Sequence, residues 1–427
     1  MSMVVQHNMQ AANANRMLGI TSGAQAKSTE KLSSGYKINR AADDAAGLTI
    51  SEKMRKQIRG LDKASSNAQD GVSSVQTAEG ALTEVHSMLQ RMNELAVQSA
   101  NGTNSSDDRQ AIQDEVDQLT TEIDRVAETT KFNEIYLLKG DNSNTKNVYM
   151  KGHDAGLKGT LTDGAKSATF TMDALQAGDK YTIAGKEYTI GSATTEVTAL
   201  IDKANTDATA DTANKTVDVN GKTYTITYNA AGNTIADADG TAITLDNLKK
   251  AVTGGSKVTY GNTSLTAMTD ADADGVDDDD SSIITKDVAE TKIKAELLTA
   301  NNIGTVDQAA TVEDANTANG KTSYTINKGY ATVADTLSFN LHVGADADMT
   351  NKITVDIDTM NSANLGIKGI NVKDASRTEA TYAIDAIADA VAKVSSQRSA
   401  LGAVQNRLEH TIDNLDNISE NTSSAES

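Results

Sequence analysis

Two long apolar stripes of helical period, one near each end of the chain, limit the folds open to this sequence. Met54, Ile58, Leu61, Ala68, Val72, Val75, Ala78, Leu82, Val85, Leu89, Met92 and Leu95 mostly recur three or four residues apart, which sets them along one seam of a long helix. Ile384, Ile387, Val391, Val394, Leu401, Val404, Leu408, Leu415 and Ile418 repeat the pattern far downstream. A long single seam cannot bury itself, so the two chain ends are expected to pack together as a rod, with the middle looped out. The expected class is α+β: a long antiparallel, coiled-coil-like helical rod made from both ends, carrying an inserted β-rich region. Such a design suits assembly better than catalytic turnover.

Composition agrees. Pro, Cys and Trp are absent and Phe occurs three times in 427 residues. Without Pro the commonest helix breaker is missing, and without Cys there is no disulfide framework, thiolate metal site or thiol nucleophile. The length corresponds to roughly three domain-sized units, and aromatics at 3% leave little for a large globular core. A net charge of −20 argues against nucleic acid and anionic membrane surfaces as partners. No apolar run reaches the roughly 18 residues of a membrane span, and Met1 to Gly19 lacks the basic start and apolar block of a cleavable signal peptide.

From Ala41 to about Ala100 the helical pattern is interrupted only by Gly47, Gly60, Gly71 and Gly80, each costing about 1 kcal/mol relative to Ala. Asn101-Gly102 breaks it, Ser105-Ser106-Asp107-Asp108 offers an N-cap, and Ile112, Val116, Leu119, Ile123 and Val126 begin a second, antiparallel helix. After Phe132 the chain turns to Gly, Thr, Asn and Asp with short alternating runs. Ile183–Ile190, Val219–Ile226 and Asn319–Ile326 share a pattern in which Ala-Gly or Asn-Gly precedes Lys and alternating β-formers, a hairpin signal. Residues 141–335 are therefore expected to form one or two small β-rich domains threaded by short helices such as Glu196–Ala204 and Leu245–Val252. Residues 337–357 are again strand-like.

Several blocks carry a family resemblance. Gln6-His7-Asn8-Met9-Gln10-Ala11, Glu30-Lys31-Leu32-Ser33-Ser34-Gly35-Tyr36-Lys37-Ile38-Asn39, Ala41-Ala42-Asp43-Asp44-Ala45-Ala46-Gly47-Leu48, Glu94-Leu95-Ala96-Val97-Gln98-Ser99-Ala100-Asn101 and Ser396-Gln397-Arg398-Ser399-Ala400-Leu401-Gly402-Ala403-Val404-Gln405-Asn406-Arg407-Leu408 resemble bacterial flagellin. The resemblance covers roughly residues 3–140 and 337–427. It implies a structural, non-enzymatic subunit of the flagellar filament, without cofactors, exported through the flagellar type III apparatus and polymerised under the filament cap with other flagellin subunits. The implied localisation is extracellular, in the flagellum. Residues 1–45 would be the N-terminal inner-core helix, 46–140 and 336–427 the outer core, and 141–335 the variable surface region. Family members continue past Ser427 into a further helix that pairs with the N-terminal one and docks the export chaperone, so the stripe of residues 3–35 is expected to lack an intrachain partner.

The resemblance also implies sites. Arg91, Leu95 and Glu115, flanked by Gln90, Glu94 and Gln98, match the patch read by the flagellin-sensing Toll-like receptor of vertebrates, although Leu95 equally continues the core seam. The truncated end implies binding with weakened activation. Filament contacts are expected at Leu48, Ile50, Arg59 and Gln98. A secreted adhesin, a hook-filament junction protein and a non-polymerising receptor ligand are the alternatives.

Asp270, Asp272, Asp274 and Asp278, with Gly275 at the turn, open like a calcium loop. Ser281 stands where a bidentate carboxylate is wanted, and a solvated acidic loop is the expected reading. The five histidines, His7, His86, His153, His342 and His410, are scattered without metal-ligand spacing. No nucleophile elbow, phosphate loop or metalloprotease motif occurs.

Overall fold

The computed structural model describes residues 9–426. Helix α1 (Met9–Ser34) has no buried residue. Helix α2 (Ala45–Ala100) starts four residues later than Ala41, because the extended Asp44 caps it: its carboxylate accepts from the N–H groups of Ala46 and Gly47. Its 56 residues make a rod of about 84 Å. Helix α3 (Ser106–Thr129) begins with the expected cap, where Ser105 and Asp108 hold each other's backbone N–H in a capping box. A tight hairpin of β1 (Lys131–Phe132) and β2 (Ile135–Tyr136) ends this arm.

The middle of the chain follows. Strand β3 (Asp141–Tyr149) leads out to β4 (Thr160–Asp163), β5 (Ser167–Asp173), β6 (Lys180–Ile183), β7 (Lys186–Ile190) and α4 (Thr194–Ala210). Next come β8 (Lys215–Val219), β9 (Lys222–Thr227), β10 (Thr234–Asp237), β11 (Ala242–Ile243), α5 (Leu245–Lys250), β12 (Lys257–Tyr260) and β13 (Thr263–Thr266). The return comprises β14 (Ile283–Ile284), α6 (Lys286–Asn301), β15 (Thr311–Val312), β16 (Asn316–Ala318) and β17 (Lys321–Asn327). Strand β18 (Tyr330–Asp335) pairs antiparallel with β3 and closes the neck of the excursion.

The three repeated segments make the same turn. Ala184-Gly185, Asn220-Gly221 and Asn319-Gly320 all have positive φ at both positions, the geometry that matches strand twist in two-residue hairpins. They join β6 to β7, β8 to β9 and β16 to β17. Helix α4 extends beyond the expected Glu196–Ala204, and α6 adds a longer helix whose buried Ala289, Ile293, Leu297 and Ala300 lie on one face.

The middle holds two larger separate cores, besides a small cluster of Met150, Ala331 and Val333 at its neck. One gathers Val197, Ile201, Val217, Ile226, Leu248 and Val258 beneath the six-stranded sheet β11-β10-β9-β8-β12-β13. The other, around Phe170, Tyr324, Ile190, Ile293 and Leu297, lies between α6 and the sheets β15-β17-β5-β4 and β14-β7-β6.

Strands β19 (Leu337–His342) and β20 (Lys352–Ile357) form the expected strand-like stretch, and a short helix α7 (Ser362–Leu365) precedes α8 (Thr378–Glu426). Arg55 pairs with Glu426, Asp62 with Ser419 and Ser65 with Asp416. Each advance of seven or three residues on α2 is thus matched by an equal retreat on α8, an antiparallel register held over the seam. Val75, Leu82, Val85, Leu89, Met92 and Leu95 face Ile387, Val394 and Leu401 in one core. The rod and inserted β-rich middle are as the stripes predict.

Candidate functional surface of the rod

Helical spacing turns the seam inward and leaves a charged band outside it. On that band Arg91 Nε donates to Glu115 Oε1 of α3 at 2.8 Å, and Arg91 Nη1 donates to Glu94 Oε2 at 3.1 Å. The two carboxylates raise the guanidinium pKa further, Glu115 first. Gln90, one turn after His86, contacts its Nε2 at 3.0 Å. Gln98 is exposed, and its carbonyl receives Asn101 N–H and the Asn104 side chain at the end of α2. Arg91, Glu94 and Glu115 therefore meet in one bonded cluster, with Gln90 and Gln98 exposed on the same helix.

Leu95 does not join this surface. It is 1% exposed and packs inside the rod core, because its position continues the seam through Leu89 and Met92. Leu95, expected both as part of the receptor patch and as a continuation of the core seam, lies in the seam in this conformation.

Among the expected filament contacts, Ile50 is 55% exposed, Arg59 and Gln98 are exposed and Leu48 is half-buried. A larger apolar set accompanies them, part of it in the stripe of residues 3–35 that is expected to lack an intrachain partner. Met9, Met17, Leu18, Ile20 and Leu32 of α1 all stand in solvent, as do Val97, Ile135 and Tyr136 near the α2–α3 arm. Apolar side chains on a helix with no buried residue are the signal that could have found them.

The acidic loop brings Asp270, Asp272 and Asp274 together: one carboxylate oxygen from each lies within 4.8 Å of the others. Their oxygens are already engaged with backbone N–H groups of Asp274, Gly275 and Val276. Asp278 is not in that cluster and accepts instead from Ala271 N. His153 Nε2 lies 3.5 Å from Asp389 Oδ2, whereas His7 lies outside the described residues. No helix among the described residues is long and apolar enough to cross a membrane.

Comparison with known proteins agrees with this architecture. Residues 5–143 match the bacterial flagellin N-terminal helical region and residues 384–427 the bacterial flagellin C-terminal helical region. A flagellin of Clostridium tyrobutyricum is 37% identical over 433 aligned residues, spanning 100% of this chain and 90% of that protein. Flagellin B of Vibrio anguillarum is 33% identical across 100% of this chain and 89% of its own length. A flagellin of Halalkalibacterium halodurans reaches 62% identity over 136 residues, 32% of this chain and 50% of that protein. Flagellins are structural proteins of the bacterial flagellum, which lies outside the cell. With a relative 37% identical along its whole length, the chain belongs to the flagellin family.

Proposed function

We propose that this chain is the subunit of a flagellar filament in which rods of neighbouring copies pack side by side and the β-rich middle faces solvent. The observation that carries the reading is the exposure of Met17, Leu18, Ile20 and Leu32 on α1: a helix with this apolar content and nothing buried gains from contact with other copies. Leu48, Ile50, Arg59 and Gln98 continue the contact surface along α2. Export through the flagellar type III apparatus and growth under the cap accompany this role in the family. The Arg91, Glu94 and Glu115 cluster, with Gln90 and Gln98, is the surface we assign to the vertebrate flagellin-sensing Toll-like receptor. Its support is its exposure and its rigid bonding across α2 and α3.

Sedimentation of the purified chain after seeding with flagellar fragments, with electron microscopy of the pellet, tests the assembly. Filaments are expected. A chain that stays in the supernatant at every seed concentration overturns the subunit reading and leaves the receptor surface to be tested on the monomer.

A further inference from the structure

An asparagine followed by glycine is prone to lose its side-chain amide, because a residue without a Cβ leaves its backbone nitrogen open to the preceding side chain. The chain contains three such pairs, Asn101-Gly102, Asn220-Gly221 and Asn319-Gly320. For the glycine nitrogen to reach the side-chain carbon, the chain must rotate about the asparagine Cα–C bond. The three settings resist that rotation to different degrees.

Asn220 is held on every side. It lies in the β8–β9 hairpin with φ +54°, followed by Gly221 at +77°. Its Oδ1 accepts from Lys257 N–H at 2.8 Å, its Nδ2 donates to Ser256 Oγ at 3.2 Å, and its own N–H donates to the Lys257 carbonyl at 2.8 Å. Asn319 makes the same turn between β16 and β17, whose ladder pairs Ala318 with Lys321 across it. Ala174 N–H also holds the Gly320 carbonyl at 3.0 Å. Asn101 lies outside any ladder, as the exposed, extended C-cap of α2 with φ −71° and ψ 129°. Its Oδ1 accepts from Thr103 N–H at 3.3 Å, its carbonyl from Asn104 N–H at 3.4 Å, and the Gly102 carbonyl from Arg377 Nη2 at 3.4 Å. Bonds of that length lie at the weak end of the range.

We infer that Asn101 is a modification site, where the Gly102 nitrogen closes on the side chain and water completes conversion to aspartate and isoaspartate. Hydroxide takes the Gly102 N–H proton, the nitrogen attacks Asn101 Cγ, and the carbonyl π pair moves onto Oδ1. When that π bond re-forms, the Cγ–Nδ2 bond breaks and Nδ2 leaves as ammonia with a proton from water. Water then opens the succinimide at Cγ to give aspartate, or at the backbone carbonyl to give isoaspartate. Amide and water become carboxylate and ammonium, with no oxidant or reductant required. The new carboxylate stands at the negative end of the α2 dipole, and isoaspartate lengthens the turn between α2 and α3 by one main-chain carbon.

The full folded chain would be held at mildly alkaline pH for several days, and the amide-to-acid mass gain read at each asparagine by peptide mass spectrometry. Asn101 is expected to react about tenfold faster than Asn220, the factor that one net hydrogen bond supplies. In guanidinium the three rates should converge. Asn101 no faster than Asn220, or slower than Asn319, overturns the inference. Fragmentation that distinguishes the isomers should find isoaspartate at 101, and aspartate alone rules out the cyclic route. Gly102→Ala fits the fold, since a Cβ there meets nothing within 4 Å, and should slow Asn101 while leaving Asn319 unchanged. An unchanged Asn101 rate in that variant also overturns the route through Gly102.

Discussion

Arg91 of α2 and Glu115 of α3 are joined by a 2.8 Å hydrogen-bonded ion pair at the rod surface, while Leu95, one turn along α2, points into the core. Sequence spacing sets these residues close together without saying that they do different work. Arg91→Ala is expected to weaken receptor binding about tenfold, the scale of one contributing interface residue, with the melting temperature unchanged within error. Leu95→Ala should instead destabilise the rod by about 2–5 kcal/mol, the cost of truncating a buried leucine. Surface plasmon resonance paired with thermal melts separates the two. Equal binding by Arg91→Ala and wild type would remove the receptor surface from this cluster.

The rod glycines divide in the same way. A Cβ on Gly71 would lie 2.2 Å from Leu341 Cδ1 and 3.2 Å from Leu408 Cδ1, whereas one on Gly80 meets nothing within 4 Å. Gly80→Ala should therefore stabilise the rod by up to about 1 kcal/mol through helix propensity. Gly71→Ala should lose about 1–3 kcal/mol through overpacking against β19 and α8. Chemical denaturation of both variants measures the difference, and stabilisation by Gly71→Ala would contradict the close approach.

At the neck of the middle region, Asp358 accepts from Lys146 Nζ at 2.8 Å and from Thr336 Oγ1 at 2.6 Å. Burial raises the Asp358 carboxyl, but the bonds from Lys146 and Thr336 outweigh it and hold the pKa below its usual value. A folded pKa below the unfolded one means that the unfolded chain binds more protons. The group's contribution is complete above about pH 4 and is lost as pH falls through the folded value. Asp358→Asn should flatten this part of the acid limb in a melting-temperature profile. An acid limb identical to wild type would show that the neck does not depend on the charge.

For the acidic loop, the carboxylates of Asp270, Asp272 and Asp274 converge, yet Asp278 is turned to Ala271 N and Ser281 offers no bidentate oxygen pair. A calcium loop needs six or more oxygen ligands. Calorimetry with millimolar calcium is expected to give no binding heat, and a saturable heat abolished by Asp272→Asn would reverse this reading.

What the sequence disclosed follows from how local each signal is. The α2 and α8 seams were legible because period and packing coincide over many turns, and Ser105 and Asp108 announce a cap within four residues. The Asn-Gly turns were legible because a positive φ favours those residue types, although Ala184 takes the same conformation. By contrast, the partner of Asp389 could not be read, since His153 and Lys151 arrive from a distant strand through the β3–β18 neck. The burial of Leu95 beside the exposed Arg91 was equally hidden, because family motifs record which residues occur and not which way each side chain turns.

Residues 193–267 offer the sharpest test of how the excursion is built. They leave and rejoin the remaining chain at one place, where Ser192 bridges Ala267 in parallel and Met268 N–H donates to the Ser192 carbonyl at 3.0 Å. Their core, with Ile201, Val217, Ile226 and Val258, is separate from that around Phe170 and Tyr324. The parallel pairing of Ile283 with Thr189 and Ile284 with Ile190 lies on the retained side of the junction. Gly191 allows the close approach there, since a Cβ would sit 2.5 Å from Met268 Cγ. Deleting 193–267 and joining Ser192 to Met268 through two glycines should therefore cost only the circular dichroism signal of α4, α5 and the β8–β13 sheet. The rod transition should keep its melting temperature, because no rod contact is removed. A deletion variant whose rod melts earlier by more than the experimental error would mean that this segment supports the rod through contacts beyond the junction.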